Sequence, residues 1–250
     1  MNDNPGTDDF ARRLTNDARE RRWPNVRPKD AATLIILDRS NPVPRVLMGR
    51  RHPNHKFMPG MFVFPGGRIE AGDRQMNVTG TLAETCEMRL MKRVQRPTAS
   101  RARALALAAI RETFEETGLL FGSAELGTPE NAPEGPWRDF AAHGVYPDLE
   151  ALTFIARAIT PPHRPKRFDA RFFSIDYNAL AHKLDGVVGA DSELDQLVWV
   201  TFEETRAIEL PAVTRVVLDE LADRIAKGFS PFLPVPFYYE SNRKWIREEL

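Results

Sequence analysis

The run from residue 98 to 118, TASRARALALAAIRETFEETG, constrains the fold more than any other part of the chain. Thr98 or Ser100 is a cap for a helix that carries ALALAAIRETFEET, and Gly118 supplies the left-handed stop. Near its end the helix bears Glu112, Glu115 and Glu116. Their i,i+3 and i,i+4 spacing sets all three carboxylates on one side, where like charges a turn apart cost on the order of a few tenths of a kcal/mol. Three oxygen donors on one side make a site for a hard cation, magnesium or manganese. The competing reading is a solvated acidic face paired with nearby arginines, and for a lone pair of glutamates it would win. The sequence around the helix has to decide.

Upstream, AATLIIL (31 to 37), PRVLMGRR (44 to 51) and MFVFPGG (61 to 67) read as strands rich in Val, Ile and Phe between proline-bearing turns. Thr81 with Glu84 reads as a capping box, opening a helix with an apolar stripe of Leu82, Cys86, Leu90 and Val94 that Pro97 ends. Downstream, ALTFIARAIT (151 to 160), RFDARFFSI (167 to 175) and LDQLVWVT (194 to 201) read as strands. Pro211 in the first turn and Gly228 past the last bound a helix through AVTRVVLDELADRIAK. Phe10, Leu14 and Ala18 suggest a short amphipathic helix at the start. Residues 123 to 150 read as a long loop, and the aromatic tail, 229 to 250, reads as packing over the domain or against a second subunit. Strands and helices interleave without linker or repeat, so the expectation is a single α/β domain, 1–250.

Lysine plus arginine equals aspartate plus glutamate at 35 each, which gives no overall charge to draw nucleic acid or an anionic membrane. With Cys86 as the sole cysteine, an intrachain disulfide and a cysteine zinc site are excluded, and a cytoplasmic protein is expected.

The segment FPGGRIEAGD, 64 to 73, lies upstream of the glutamate helix. Its glycines let backbone carbonyls turn toward a ligand or metal where a side chain would obstruct. Together, GGRIEAGD and RETFEETGL resemble the Nudix box. That pattern is Gly, five residues, Glu, seven residues, then Arg-Glu-aliphatic-x-Glu-Glu-x-Gly-aliphatic. Here Asp73 stands for the first glutamate and Thr113 for an aliphatic residue, and 37 residues separate Asp73 from Arg111 instead of seven. An excess of this length is about that of a helical hairpin arm, and 74–104 reads as a helical insertion inside the box. Such a split box resembles the subgroup containing peroxisomal coenzyme A diphosphatases, a likeness that extends to MPGMFVFPGG and ITPPHRPKRFDARFF.

The resemblance implies the Nudix fold, a mixed β-sheet sandwiched between α-helices, and hydrolysis of a nucleoside diphosphate linked to another group. It implies that Glu112, Glu115, Glu116 and the Gly67 carbonyl hold magnesium or manganese. Glu193, six residues before Trp199, would join them from the far side, and either Glu112 or Glu193 would activate water. Arg111 would hold Glu112 and pair with Asp73 rather than touch substrate. Coenzyme A or an acyl derivative is the favoured substrate, ADP-ribose or a nucleotide sugar the runner-up, and a non-catalytic Nudix-fold binding domain the alternative of another class. For the substrate phosphates, Arg50 and Arg51 at the end of a strand and Arg167 and Arg171 on one face of another are candidates. The aromatic tail makes a homodimer an expected partner.

Overall fold

The computed structural model describes residues 23–55 and 58–250, so the expected helix through Phe10, Leu14 and Ala18 lies outside the described residues. Three adjoining strands, β1 (Lys29–Asp38), β2 (Arg45–Arg51) and β8 (Phe168–Asp176), form the middle of a mixed sheet. Its order is β10-β2-β1-β8-β7-β11-β12, with β7 at Thr153–Ile159, β10 at Leu194–Thr201, β11 at Pro236–Ser241 and β12 at Lys244–Glu249. Short strands β3 (Phe62–Val63) and β4 (Gly66–Arg68) pair with β2 and β1. β1 runs parallel to β8, from Lys29 opposite Phe168 to Leu37 opposite Asp176, and antiparallel to β2 and β4. A second sheet, β6-β5-β9, is built from Leu119–Ser123 (β5), Tyr146–Pro147 (β6) and Leu180–Lys183 (β9).

Strand β1 explains the sandwich, because a strand buried on both faces reads as a near-continuous apolar run while its side chains still alternate. Ala32, Leu34 and Ile36 enter one core with helices α1 (Glu84–Met91), α2 (Ala99–Thr117) and α3 (Pro136–Ala142). Ile35 and Leu37 enter the other, against α4 (Ala212–Ala226). The mixed sheet between helices is the expected architecture.

Local chemistry sets the helix ends. Thr98 caps α2, accepting from the Arg101 amide, and Gly118 closes it at φ 73°. The Thr81–Glu84 capping box does not form: Ala83 is the N-cap and has no side-chain bond. Thr79 bridges to Asp148 and Leu82 is buried, which ties the preceding segment to the body of the protein. Leu82, Cys86 and Leu90 pack in the core as expected, whereas Val94 lies beyond the helix, which ends at Met91. The insertion is thus only partly an arm, since its last residues, from Ala99 on, are the first turns of α2 itself.

One other expectation changes. Residues 123 to 150 hold α3 and β6, and Trp137 and Phe140 are fully buried, so the segment contributes to the core rather than being a long loop throughout. The tail packs on the domain, one of its two expected roles, as a hairpin that extends the main sheet, β11 running parallel to β7. Phe237 and Tyr238 are buried in the chain's own two cores.

Candidate active site

The site begins with a glycine. Gly67 lies opposite Ala32 on β1, and a Cβ at its position would fall 2.3 Å from the Glu112 carboxyl carbon. A side chain there would displace the Glu112 carboxylate, so the glycine is what lets that carboxylate lie against β4. Glu112, Glu115 and Glu116 follow one another along the last turns of α2 beside that strand.

Arg111 is the clamp. It is 2% exposed and donates through Nε to Asp73 Oδ1 at 2.8 Å and through Nη2 to Asp73 Oδ2 at 3.2 Å. Nη2 also reaches the Arg68 carbonyl at 2.8 Å, while Nη1 donates to Glu112 Oε1 at 3.0 Å and Glu115 Oε1 at 2.6 Å. The expected Arg111–Asp73 pair is therefore present across the insertion. Asp73, fully buried, also accepts from the Glu70 amide at 2.7 Å and from Trp137 Nε1 at 2.9 Å. A buried carboxylate with this many donors is satisfied, and it ties the Gly67 loop, α2 and α3 into one frame. Thr113 fits the buried position of an aliphatic residue because its hydroxyl donates to the Ala109 carbonyl at 2.8 Å.

Glu116 differs from its neighbours. It is 8% exposed, the Gly66 amide donates to its carboxylate, and its Oε2 has no hydrogen-bond partner among the described residues. Burial pushes its carboxyl well above the ordinary range, and the charges of Glu193 and Glu112 add to the shift. Burial also pushes Glu112 up to about 7, with Arg111 pulling against it and the charges of Glu115 and Glu70 adding to it. A buried, partnerless carboxylate oxygen among like charges is costly alone and suits a cation. Among the described residues no three acidic, histidine or cysteine side chains converge as a ready-made metal cage, for Glu112 and Glu115 are turned onto Arg111. The donor set nevertheless fits a hard cation in kind, all oxygen and negatively charged.

Glu193 reaches the site from the loop before β10. Its Oε1 lies 3.0 Å from Arg51 Nη2 and 3.8 Å from His55 Nε2, and its charge acts on Glu116. Arg51 is thereby brought to the glutamates, and it eases the charge on Glu116. The other three arginines are not. Arg50 is bound bidentately by Asp195, at 2.8 and 3.0 Å, across the β2–β10 pair. Arg167 donates to the Thr160 and Val26 carbonyls and to Asn25 Oδ1. Arg171 is fully buried, 2.9 Å from Asp30 and 3.1 Å from Asp169. The strand period that suggested a phosphate-facing row is real, but β8 is a central strand. Its polar face is occupied by an internal network in which Arg157 binds Asp169 and the carbonyls of Lys92 and Arg93.

Sequence reasoning missed Trp137 and Glu70. Gly135 followed by Pro136 at the first helical position signalled the helix that carries Trp137; nothing in the spacing singled out Glu70.

No family model matches the chain, and no curated protein matches it in sequence. Solved structures do. A Nudix hydrolase from Alicyclobacillus acidocaldarius is similar at 27% identity and TM-score 0.55, over 78% of this chain and 90% of that one. The Nudix domain of Shewanella oneidensis NrtR, complexed with ADP ribose, matches at 11% identity and TM-score 0.43, over 80% and 90%. A MutT protein from Methanosarcina mazei Go1 matches at 16% identity and TM-score 0.44, over 82% and 97%. Only the first of these is near enough to carry an argument. Its likeness, the mixed sheet between helices and the glutamates of α2 together give the chain the fold of a Nudix hydrolase and mark it as a Nudix pyrophosphohydrolase.

Proposed function

We propose that the protein hydrolyses the pyrophosphate bond of a nucleoside diphosphate linked to a second group, using magnesium or manganese. The observation that carries this reading is Glu116, buried with an oxygen that has no hydrogen-bond partner among the described residues, beside the charges of Glu112 and Glu193. Glu112, Glu115, Glu116, Glu193 and the Gly67 carbonyl would hold the metal. A divalent ion bound there would neutralise charge on the phosphoryl oxygens. Arg111 keeps Glu112 and Glu115 oriented, and Arg51 holds Glu193. Either Glu112 or Glu193 would take a proton from the attacking water.

Coenzyme A or an acyl derivative is the proposed substrate, giving 3',5'-ADP and a 4'-phosphopantetheine species. The split box and the segments MPGMFVFPGG and RFDARFF support that choice. ADP-ribose or a nucleotide sugar is the second reading, favoured by the shared pyrophosphate. A cytoplasmic setting is proposed from the solitary, buried Cys86; among the described residues no helix is long and apolar enough to cross a membrane. Incubating the protein with magnesium and a panel of diphosphates, with products identified by mass, tests the reading. Cleavage of at least one at the pyrophosphate, abolished by chelator, is expected. Binding of the panel without cleavage would make the protein a Nudix-fold binding domain instead.

A further inference from the structure

Beside the Gly67 loop lie two neighbouring cavities of about 400 and 430 Å³ that share Lys29 and Arg68 in their walls. The first collects Arg27, Lys29, Arg68, Lys166 and Arg167 around Phe168, with no acidic residue among the described residues of its lining. In the second, Arg74 joins Lys29 and Arg68, and Asp30 and Glu70 form the acidic side. In a chain of zero net charge, five cationic side chains around one cavity are a local departure that favours an anion.

Not all of these cations are committed to the fold. Arg167 is spent on the Thr160 and Val26 carbonyls and Asn25. Lys29 and Arg68, by contrast, have no side-chain hydrogen bond or ion pair among the described residues. Both are exposed where the two cavities meet. The groove also leads toward the glutamates: the Arg68 carbonyl accepts from Arg111, and the charge of Glu70, in the second cavity, acts on Glu112. A ligand with its pyrophosphate at the α2 glutamates would extend an attached group past Glu70 toward Lys29 and Arg68.

We infer that this basic groove is a second anion subsite, in which Lys29 and Arg68 bind a phosphate monoester carried by the substrate in addition to its pyrophosphate. The inference rests on the proposed hydrolysis for its place in a reaction, but binding can be read without turnover. Arginine can clamp two phosphate oxygens at once, and lysine adds a point charge. A substrate with the additional phosphate is therefore preferred to one that ends in an unmodified ribose.

The test has a binding arm and a kinetic arm. In the first, adenosine 3',5'-bisphosphate and 5'-AMP are titrated calorimetrically into the full-length protein in chelator, so that no hydrolysis is involved. The bisphosphate should bind about tenfold or more tightly than 5'-AMP, the scale of one charge-assisted contact. That margin should disappear in the double variant Lys29→Ala, Arg68→Ala, whose two exposed side chains make no hydrogen bond or ion pair among the described residues. Equal binding of the two nucleotides, or a margin that survives in the variant, overturns the groove as a phosphate subsite. In the kinetic arm the variant should raise KM for coenzyme A and leave KM for its 3'-dephospho form unchanged. Should the protein cleave nothing while the binding margin and its loss are observed, the hydrolytic reading fails and the subsite stands. Should it cleave both substrates with KM values that the variant shifts equally, the subsite fails and the hydrolytic reading stands.

Discussion

Glu112 and Glu116 are protonation sites that folding makes unfavourable to ionise, and this fixes how stability varies with pH. Glu112 moves from an ordinary value of 4.5 to about 7, and burial, the leading cause, disfavours the charged form. With the folded value above the unfolded one, the folded protein keeps a proton that the unfolded chain gives up. The contribution of Glu112 is thus fully present below 4.5 and is lost as pH rises through about 7, a change of at most about 3 kcal/mol. In chelator, the melting temperature of the native protein should fall between about pH 5 and pH 8. Glu112→Gln, which has no proton to lose, should show a smaller fall; an equal or larger fall would show that the carboxyl is not shifted. Gly67 gives a second prediction at this scale. In Gly67→Ala the new methyl would meet the Glu112 carboxylate at 2.3 Å, so β4 or Glu112 must move. Turnover should drop by about tenfold or more, the effect of a barrier change near 1.4 kcal/mol. Retention of native turnover would mean that the close approach of β4 to α2 has no part in catalysis.

Among the elements, α2 was the most legible, because its signals were local: Thr98 at the cap, Gly118 at the stop and an alanine-rich body between them. Strand β10 was read at its observed bounds, since a run of apolar residues before Thr201 carries its own period. Helix α1 was read from its stripe, but its start was misplaced: Thr81 and Glu84 have capping-box spacing, while the start is set by contacts of Thr79 and Leu82 with other segments. Helix α3 was read as loop because its seven residues are too few to show a period, although Trp137 reaches Asp73. The face of Asp169 and Arg171 was read as open because a strand's own sequence does not reveal its neighbours. The partners that bury it come from Asp30, Arg157 and the end of α1, all distant in the chain. The inserted segment packs in the main core through Met76, Leu82, Cys86 and Leu90. Leu90→Ala should therefore cost about 2–5 kcal/mol in chemical denaturation. A cost under about 1 kcal/mol would make the insertion a surface attachment rather than part of the core.

At the scale of the whole molecule, the sheet works as a frame that brings distant acids to one place. β4 beside β1 sets Gly67 against α2, Arg111 binds Asp73 across the inserted residues, and the β2–β10 pair carries Arg51 and the neighbouring Glu193 to Glu116. The glutamates and their clamp were legible because the motif fixes them within the chain. The substrate groove was not, for Lys29, Arg68 and Lys166 come from three segments that only the sheet brings together. The central claim is that Glu116, buried and with one oxygen unpartnered among the described residues, is part of a cation site on which hydrolysis depends. Glu116→Gln keeps the size of the side chain and removes its charge. The direct test is steady-state turnover of a cleaved diphosphate by native and Glu116→Gln proteins at one saturating magnesium concentration, with melting temperatures measured alongside. A fall of about two powers of ten or more in turnover, with the melting temperature held or raised, is the predicted result. Turnover equal to that of the native protein would contradict the assignment of the cation site to the α2 glutamates.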